Sequence, residues 1–410
     1  MFDVDTWQEI LDTIRSNKLR SSLTAFSVAW GIFMLIVLLG SGEALSHGVE
    51  YQFRDDAVNS IWVYPGQTSM PFRGLQPGRE VQLTNDDHDD LATRVEGVEH
   101  ISSRFYLNGN QRVRFRDEIG TFDVRAVHPA HLYLEKTIIT EGRFLNPLDL
   151  KEYRKVAVVG AKVAQALFKE VPPVGREIEV NGVAFEVVGV FRDEGGENEM
   201  QKIYVPISTA QKAFGGANRV GQIMMTTGEA PLARTQAMAQ EIRQRLADRH
   251  AFSVDDSRAA YVRNNNEEFD RYMKVIGAIR LFVWIVGLGT ILAGVVGVSN
   301  IMMIAVRERT REIGIRRALG ATPWSVVSLI LKESILITSV AGYAGLVLGI
   351  VVLEIASGVL PADGYFIHPE VDLKVAIEAT ILLVVAGAAA GFFPARRAGA
   401  LRPVEALRNE

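Results

Sequence analysis

Gly160-Ala161-Lys162-Val163, directly after the apolar run Val156 to Val159, is where a phosphate loop would sit. Such a loop needs a glycine just before the lysine and a serine or threonine just after it, so that backbone amides cradle the phosphates and the hydroxyl meets the magnesium. Both are missing, so this chain is not expected to bind nucleotide. The run Asn85-Asp86-Asp87-His88-Asp89-Asp90 offers oxygens for calcium but lacks the glycine that bends an EF-hand loop at its sixth position. Thr84, Asn85 and Asp86 read instead as the cap and first-turn acids of a helix. His128 and His131 straddle Pro129 with no third ligand in the same segment, and are read as surface turn residues. Glu267 and Glu268 adjoin an asparagine run with no pocket to be inferred, and no serine lies in a Gly-x-Ser-x-Gly turn. Catalysis by this chain is therefore not expected.

The densest group of charges is RERTREIGIRRALGATP, from Arg307 to Pro323. Before it, Leu281 to Val306 carries no charge, and at ~1.5 Å per helical residue that run exceeds a hydrocarbon core of about 30 Å. Arginines at such density beside a span belong on the cytoplasmic side. The segment is also patterned as a short helix. Glu312 precedes Arg316 by four residues, the favourable order for a pair, and Ile313, Ile315, Ala318 and Leu319 keep an apolar side. Gly320 is placed to end the helix and Pro323 to restart the chain. A glycine inside a helix costs roughly 1 kcal/mol relative to alanine, so Gly314 is expected where a partner's backbone approaches closely. Such a helix can pass force from a cytoplasmic partner into two spans, whereas a basic loop that only fixes topology needs the charges alone. Composition leaves both readings open.

Positioning this segment requires the rest of the membrane part. Residues 21–46 form the expected first span, 274–306 the end of a stalk helix and the second, 326–353 the third and 375–395 the fourth, with 307–325 as the cytoplasmic segment. Residues 1–20 read as an amphipathic helix on the inner surface, with Val4, Trp7, Leu11 and Ile14 on one face. The apolar stretch after it is longer than the ~7–15 residues of a signal peptide, so it is expected to remain. Glu354, Asp363, Glu370 and Asp372 against Lys374 put the loop 354–374 outside, and Arg396, Arg397, Arg402 and Arg408 put the tail 396–410 inside. Gly345 with Gly349, and Gly387 with Gly391, stand at the Gly-x-x-x-Gly spacing that lets helices approach closely in lipid; Gly287, Gly289, Gly294 and Gly297 line the second span. Whether those contacts lie within one subunit or between two is open at this point.

The polar middle, 47–273, is then extracytoplasmic. Its flanks each read strand, helix, strand: Ile61 to Pro65, Thr84 to Val95, Ile101 to Tyr106, then Gln222 to Thr227, Pro231 to Leu246, Phe252 to Val254. Two split βαβ units of this kind close into a ferredoxin-like lobe, here 58–121 with 217–262. Between them 122–216 is strand-rich, with Asn181-Gly182 predicting a hairpin between Glu177–Val180 and Val183–Val190. The net charge of -4 gives no general affinity for nucleic acid, and the chain has no cysteine, which removes disulfides and thiolate sites.

RERTREIGIRRALGA, preceded by SNIMMIAV and followed by TPWSVVSLILKES, resembles the coupling segment of the MacB/FtsX-like family of ABC-transporter permeases. RSNKLRSSLTAFSVAWGIFMLIVLLGSGEAL, KVAVVGAKVAQALF with PVGREIEVNGVAFEVVGV, and PARRAGALRPVEAL extend the resemblance over nearly the whole chain in the family's order. It implies an α-helical membrane protein with four transmembrane helices and a large α+β domain between the first two, made of a ferredoxin-like porter lobe and a β-rich Sabre-like lobe. It also implies ATPase coupling through Glu308, Arg309, Thr310, Arg311, Glu312, Ile313, Gly314, Arg316, Arg317, Ala318, Leu319 and Gly320. The expected partners are a separate ABC ATPase carrying the ATP and magnesium, a second copy of this chain, a periplasmic adaptor and an outer-membrane channel. The expected location is a bacterial inner membrane with both termini cytoplasmic, and the expected function is export by mechanotransmission. MacB itself carries its ATPase domain on the same chain, and this sequence departs from it by starting at the membrane part. A signalling permease like FtsX controlling a cell-wall hydrolase, a lipoprotein-releasing permease and a membrane-anchored enzyme are the alternatives.

Overall fold

The computed structural model describes residues 18–52, 58–107, 109, 111–193, 198–359 and 373–401. Most of the expected amphipathic helix 1–20, most of the loop 354–374 and the tail beyond 401 lie outside the described residues. The chain divides into two compact units, Glu50–Tyr272 and a unit drawn from the two ends of the chain, up to Val49 and from Met273 onward.

Among the described residues, four helices are long and apolar enough to cross a membrane, with candidate spans in Ala25–Val49, Asn265–Glu308, Pro323–Val359 and Thr380–Gly399. The helices themselves run further than the expected spans. The first is Lys18–Gln52, the second is continuous from Asn265 to Glu308, and the third starts at Pro323 rather than residue 326. The fourth, Leu373–Gly399, runs through Pro394. Glu43 pairs with Arg280 at 2.5 Å, tying the first helix to the second.

The paired glycines are used within the chain. A Cβ on Gly345 would run into the Ala29 carbonyl, and one on Gly349 would lie 2.8 Å from Ile36, so the first and third helices touch backbone to backbone there. Gly387 would meet Thr338, and Gly391 would come within 2.7 Å of Ser334, where the fourth helix crosses the third. Ser334 Oγ donates to the Gly387 carbonyl at 3.0 Å across the same crossing. Gly289 and Gly297 face open space. Gly345→Val should therefore destabilise the detergent-solubilised chain by the ~1–3 kcal/mol typical of overpacking, while Gly289→Val should be near neutral. Thermal unfolding of the two variants checks this, and equal midpoints would show that the crossing is not tight.

Among its described residues Glu50–Tyr272 holds a 12-stranded sheet ordered β12-β1-β11-β2-β5-β10-β7-β9-β8-β3-β4, with β6 beside β9. In chain order the strands are β1 Ser60–Pro65, β2 His100–Tyr106, β3 Arg112–Phe115, β4 Glu118–Thr121, β5 Asp123–Val127, β6 Ile138–Gly142, β7 Val156–Gly160, β8 Glu177–Val180, β9 Val183–Arg192, β10 Lys202–Pro206, β11 Gln222–Thr226 and β12 Ala260–Asn264. Strands β12, β1, β11 and β2 are all antiparallel. Counted among themselves they follow the ferredoxin-like order 4-1-3-2, and the helices Asn85–Arg94 and Leu232–His250 connect them. Ile61, Val63, Leu91, Ile223, Met238, Ile242 and Leu246 form their core. A second core gathers Val113, Phe115, Val159, Leu167, Phe168, Ile178, Phe185 and Ile203.

Three expectations change here. The segment 112–121, read as part of the ferredoxin-like lobe, is a hairpin whose β3 pairs with β8; Val113 and Phe115 alternate into the second core, so that lobe begins before residue 122. The last ferredoxin-like strand is Ala260–Asn264, not Phe252–Val254. The stretch before it is folded around the Asp256 carboxylate, which accepts from Ser69 N at 2.6 Å, Ser69 Oγ at 2.7 Å and Met70 N at 3.0 Å. His128 and His131 are not surface residues: His131 is fully buried, and the half-buried His128 stacks on His88.

Other local readings show their cause. Thr84 caps the helix Asn85–Arg94 in a capping box with Asp87, whose buried carboxylate pairs with Arg249 at 2.8 Å and His250 at 2.9 Å. Asn181 and Gly182 both have positive φ, 48° and 86°, as a two-residue hairpin turn requires. Gly160 is needed because a Cβ there would strike the Met200 carbonyl.

Candidate functional site

The second membrane helix ends at Glu308, and a separate short helix, Thr310–Ala318, begins one residue later. The break falls at Arg309, whose backbone leaves the helical region at φ -95° and ψ 10°. Thr310 Oγ1 turns back to the carbonyls of Arg307 at 2.8 Å and Val306 at 3.1 Å, competing with the helix ladder at that point. At the other end Ala321 N donates to Arg316 O at 3.0 Å and Gly320 N to Arg317 O at 3.2 Å. With Gly320 at φ 101°, this is a Schellman stop. Thr322 then caps the third membrane helix, accepting from Ser325 N at 3.2 Å, with Pro323 as its first residue.

The short helix is fixed to three membrane helices. Ile313 is buried among Met302 and Val306 of the second, Val326 and Ile330 of the third, and Ala395 and Ala398 of the fourth. Arg309 Nη1 reaches the buried Glu333 carboxylate of the third helix at 3.3 Å, and Arg317 Nη1 donates to Gly399 O of the fourth at 2.6 Å. Glu312 pairs with Arg316 at 2.9 Å. The short helix is thus tied to all three of these membrane helices.

Gly314 is buried by this chain itself, which corrects the expectation that it faces a partner. The outward side consists of Glu308, Arg311, Glu312, Ala318 and Gly320, with Ile315 at 45% exposure and Leu319 at 84%. Trp324, at 73%, adds to that apolar exposure. Large apolar side chains this exposed beside charged ones suit a protein contact surface and, beside a span, the membrane interface alike. Trp324 and Glu333 are missing from the residues singled out by sequence. An aromatic right after a helix-starting proline, and a carboxylate inside an apolar span, were the available signals.

A family profile described as MacB-like periplasmic core domain matches residues 21–245, and one described as FtsX-like permease C-terminal matches 284–403. The chain is similar to the macrolide export ATP-binding/permease protein MacB of Marinobacter nauticus, 30% identical over 98% of this chain and 61% of that one. It is 24% identical to the uncharacterized ABC transporter permease YknZ of Bacillus subtilis over 98% of both. It thus spans about three fifths of the MacB relatives and nearly all of YknZ. Among solved structures, the periplasmic region of MacB from Actinobacillus actinomycetemcomitans aligns with 55% of this chain and 97% of that one, at 16% identity and a TM-score of 0.44. The extracellular domain of YknZ aligns with 50% of this chain and all of that one, at 20% identity and a TM-score of 0.43.

Proposed function

The chain belongs to the MacB/FtsX-like family of ABC-transporter permeases, and from that membership we propose that it is the permease subunit of an exporter driven by a separate ABC ATPase. Its four apolar helices and its periplasmic-core match make it a multi-pass membrane protein with an extracytoplasmic domain. In this reading Thr310–Ala318 is cytoplasmic and docks on the ATPase. Two copies of the chain work with two ATPase subunits, which hold the ATP and magnesium. Closure of the ATPase pair pushes on the short helix, and the membrane helices carry the displacement to Glu50–Tyr272. The extracytoplasmic domain then acts on a periplasmic adaptor and an outer-membrane channel.

The observation that carries this reading is the exposed side of the short helix, Ile315 and Leu319 with Trp324 close in sequence, on an element anchored from behind by Arg309, Ile313 and Arg317. A segment that only fixed topology would need its arginines and no such face. Leu319→Ser with Trp324→Ser leaves every arginine in place. Each buried apolar side chain contributes about 1.5–3 kcal/mol, so ATPase association should weaken by roughly tenfold or more per residue, and ATP-dependent function should fall with it. Membrane insertion should be unchanged. In the same cells an impermeant thiol reagent should label a cysteine at Glu96, which is 94% exposed, and spare one at Thr310. Unaltered association in the double variant, or labelling at Thr310 from outside, overturns the proposal.

A further inference from the structure

On the ferredoxin-like lobe, β12 is the outer strand of the sheet, and among the described residues it pairs only with β1. Alternate residues of such an edge turn their N–H and C=O groups away from the sheet, which makes it a template for another strand. Beyond this edge lies a cavity of about 430 Å³. One wall is the side of helix Leu232–His250 that carries Gln236, Gln240 and Arg243; the floor is Tyr261 to Asn264, and the far wall is Glu267, Glu268 and Arg271 at the start of the following helix. The sequence signal here was the pair Glu267 and Glu268. The pocket they line could not be inferred, because its opposite wall comes from more than twenty residues earlier.

The charges in the cavity do not cancel. Glu268 is held by Arg263 at 2.7 Å and Glu267 by Arg271 at 3.6 Å. Arg243 is left over: among the described residues it has neither an ion pair nor a hydrogen bond, and its Nε is buried without a partner. A guanidinium in this state matches the two oxygens of a carboxylate. Gln236 and Gln240, at the preceding turns of the same helix, add amides that can donate and accept.

We propose that this groove receives an extended segment of a partner protein, laid along the β12 edge as an added strand and carrying one carboxylate that pairs with Arg243. The edge supplies affinity through the main chain, and the single surplus cation supplies the side-chain selection. The stoichiometry follows from the charges, since a second acidic side chain would meet Glu267 or Glu268. The inference does not depend on the exporter reading, because it concerns only residues within Glu50–Tyr272.

The test uses the full chain in detergent and a short fluorescein-labelled peptide of alternating valine and threonine with one central glutamate, followed by fluorescence anisotropy. Saturable binding is expected, at least about tenfold tighter than for the twin peptide with a central glutamine. Arg243→Gln should bring the two peptides to equal affinity. Methylating alternate backbone nitrogens of the glutamate peptide should abolish binding without touching the protein. No saturable binding, equal affinity for the two peptides on the unaltered chain, or undiminished binding of the methylated peptide overturns the proposal. Displacement of the peptide by glutarate at comparable concentration would show a small-carboxylate site, and that also overturns it.

Discussion

Glu135→Gln is expected to lower the stability of the extracytoplasmic sheet by about 3–5 kcal/mol, the typical result of removing one partner from a buried ion network. The Glu135 carboxylate is buried at the C-terminal end of the short helix His131–Leu134. It accepts from Arg104 of β2, from Arg125 Nη1 of β5 at 2.9 and 3.2 Å, and from Tyr204 Oη of β10 at 2.6 Å. His131 Nε2 lies 3.3 Å away and Lys202 Nζ 4.0 Å away. Burial by itself raises the Glu135 carboxyl, but His131, Arg104 and Arg125 hold it well below the usual carboxylate range, and burial pushes the Lys202 amine down to about 8. The remaining acids, Asp123 on Arg125 at 2.7 Å and Glu199 on Lys202, are already engaged. A neutral side chain at position 135 therefore leaves a positive charge buried and uncompensated.

The position of this network determines what fails. β2 belongs to the ferredoxin-like order, β5 and β10 to the other half, and the β2–β5 pairing joins them in a short register from Arg104 to Tyr106. Hydrogen exchange of the full chain should show the opening free energy of β2, β5 and β10 amides falling together in Glu135→Gln. The exposed pair Glu118 with Lys169 provides the control, because surface ion pairs contribute about 0–1 kcal/mol. A change below ~1 kcal/mol in Glu135→Gln would mean that β2–β5 hydrogen bonding alone holds the halves together.

How much could be read beforehand depended on the range of the interactions. The four spans were legible because an uncharged run of spanning length needs no partner to be recognised, and the ferredoxin-like order because each βαβ unit is local apart from the inserted lobe. The Asn181-Gly182 hairpin was legible for the same reason. The hairpin β3–β4 was not, since its place is set by pairing Val113 with Val180, far along the chain. Nor was the orientation of the short helix Thr310–Ala318. Its periodicity marked Ile313, Ile315, Ala318 and Leu319 as apolar, but only packing decides that Ile313 and Gly314 turn inward while Ile315 and Leu319 stay exposed. The histidines were misread because polar residues beside a proline suggest a turn at the surface, and burial came from β2 and the helix Asn85–Arg94 closing over them.

One of them, His128, sets the second large effect together with His88, a loss of stability in mild acid. His88 and His128 stack with ring centroids 4.1 Å apart and planes within 6°. His128 Nδ1 accepts from Ser103 N at 3.0 Å, which requires a ring unprotonated at that nitrogen, and His88 Nδ1 lies 2.9 Å from Ser103 Oγ. Burial pushes His88 down to about 4; burial, with His88 opposite, pushes His128 down to about 3. Both folded values lie below the unfolded value of about 6.5, so the unfolded chain binds the extra protons. Stability is then full above pH ~6.5 and falls as the pH drops from there toward the folded values. A pH of 4.5 lies about two units below the unfolded value of each ring, and at 1.36 kcal/mol per unit the pair accounts for roughly 5 kcal/mol as an upper figure. His131, lowered by burial as well, adds to the same decline, and Asp87 and Glu135, both lowered in the folded chain, act in the same direction at lower pH. Hydrogen exchange or thermal unfolding of the full chain between pH 7 and 4.5 should show this decline. His88→Asn with His128→Asn, which keeps polar acceptors but removes the titration of these two rings, should lose the share of the slope they supply and leave that of His131, even if it lowers the stability at pH 7. A double variant as acid-sensitive as the unaltered chain would place the effect elsewhere.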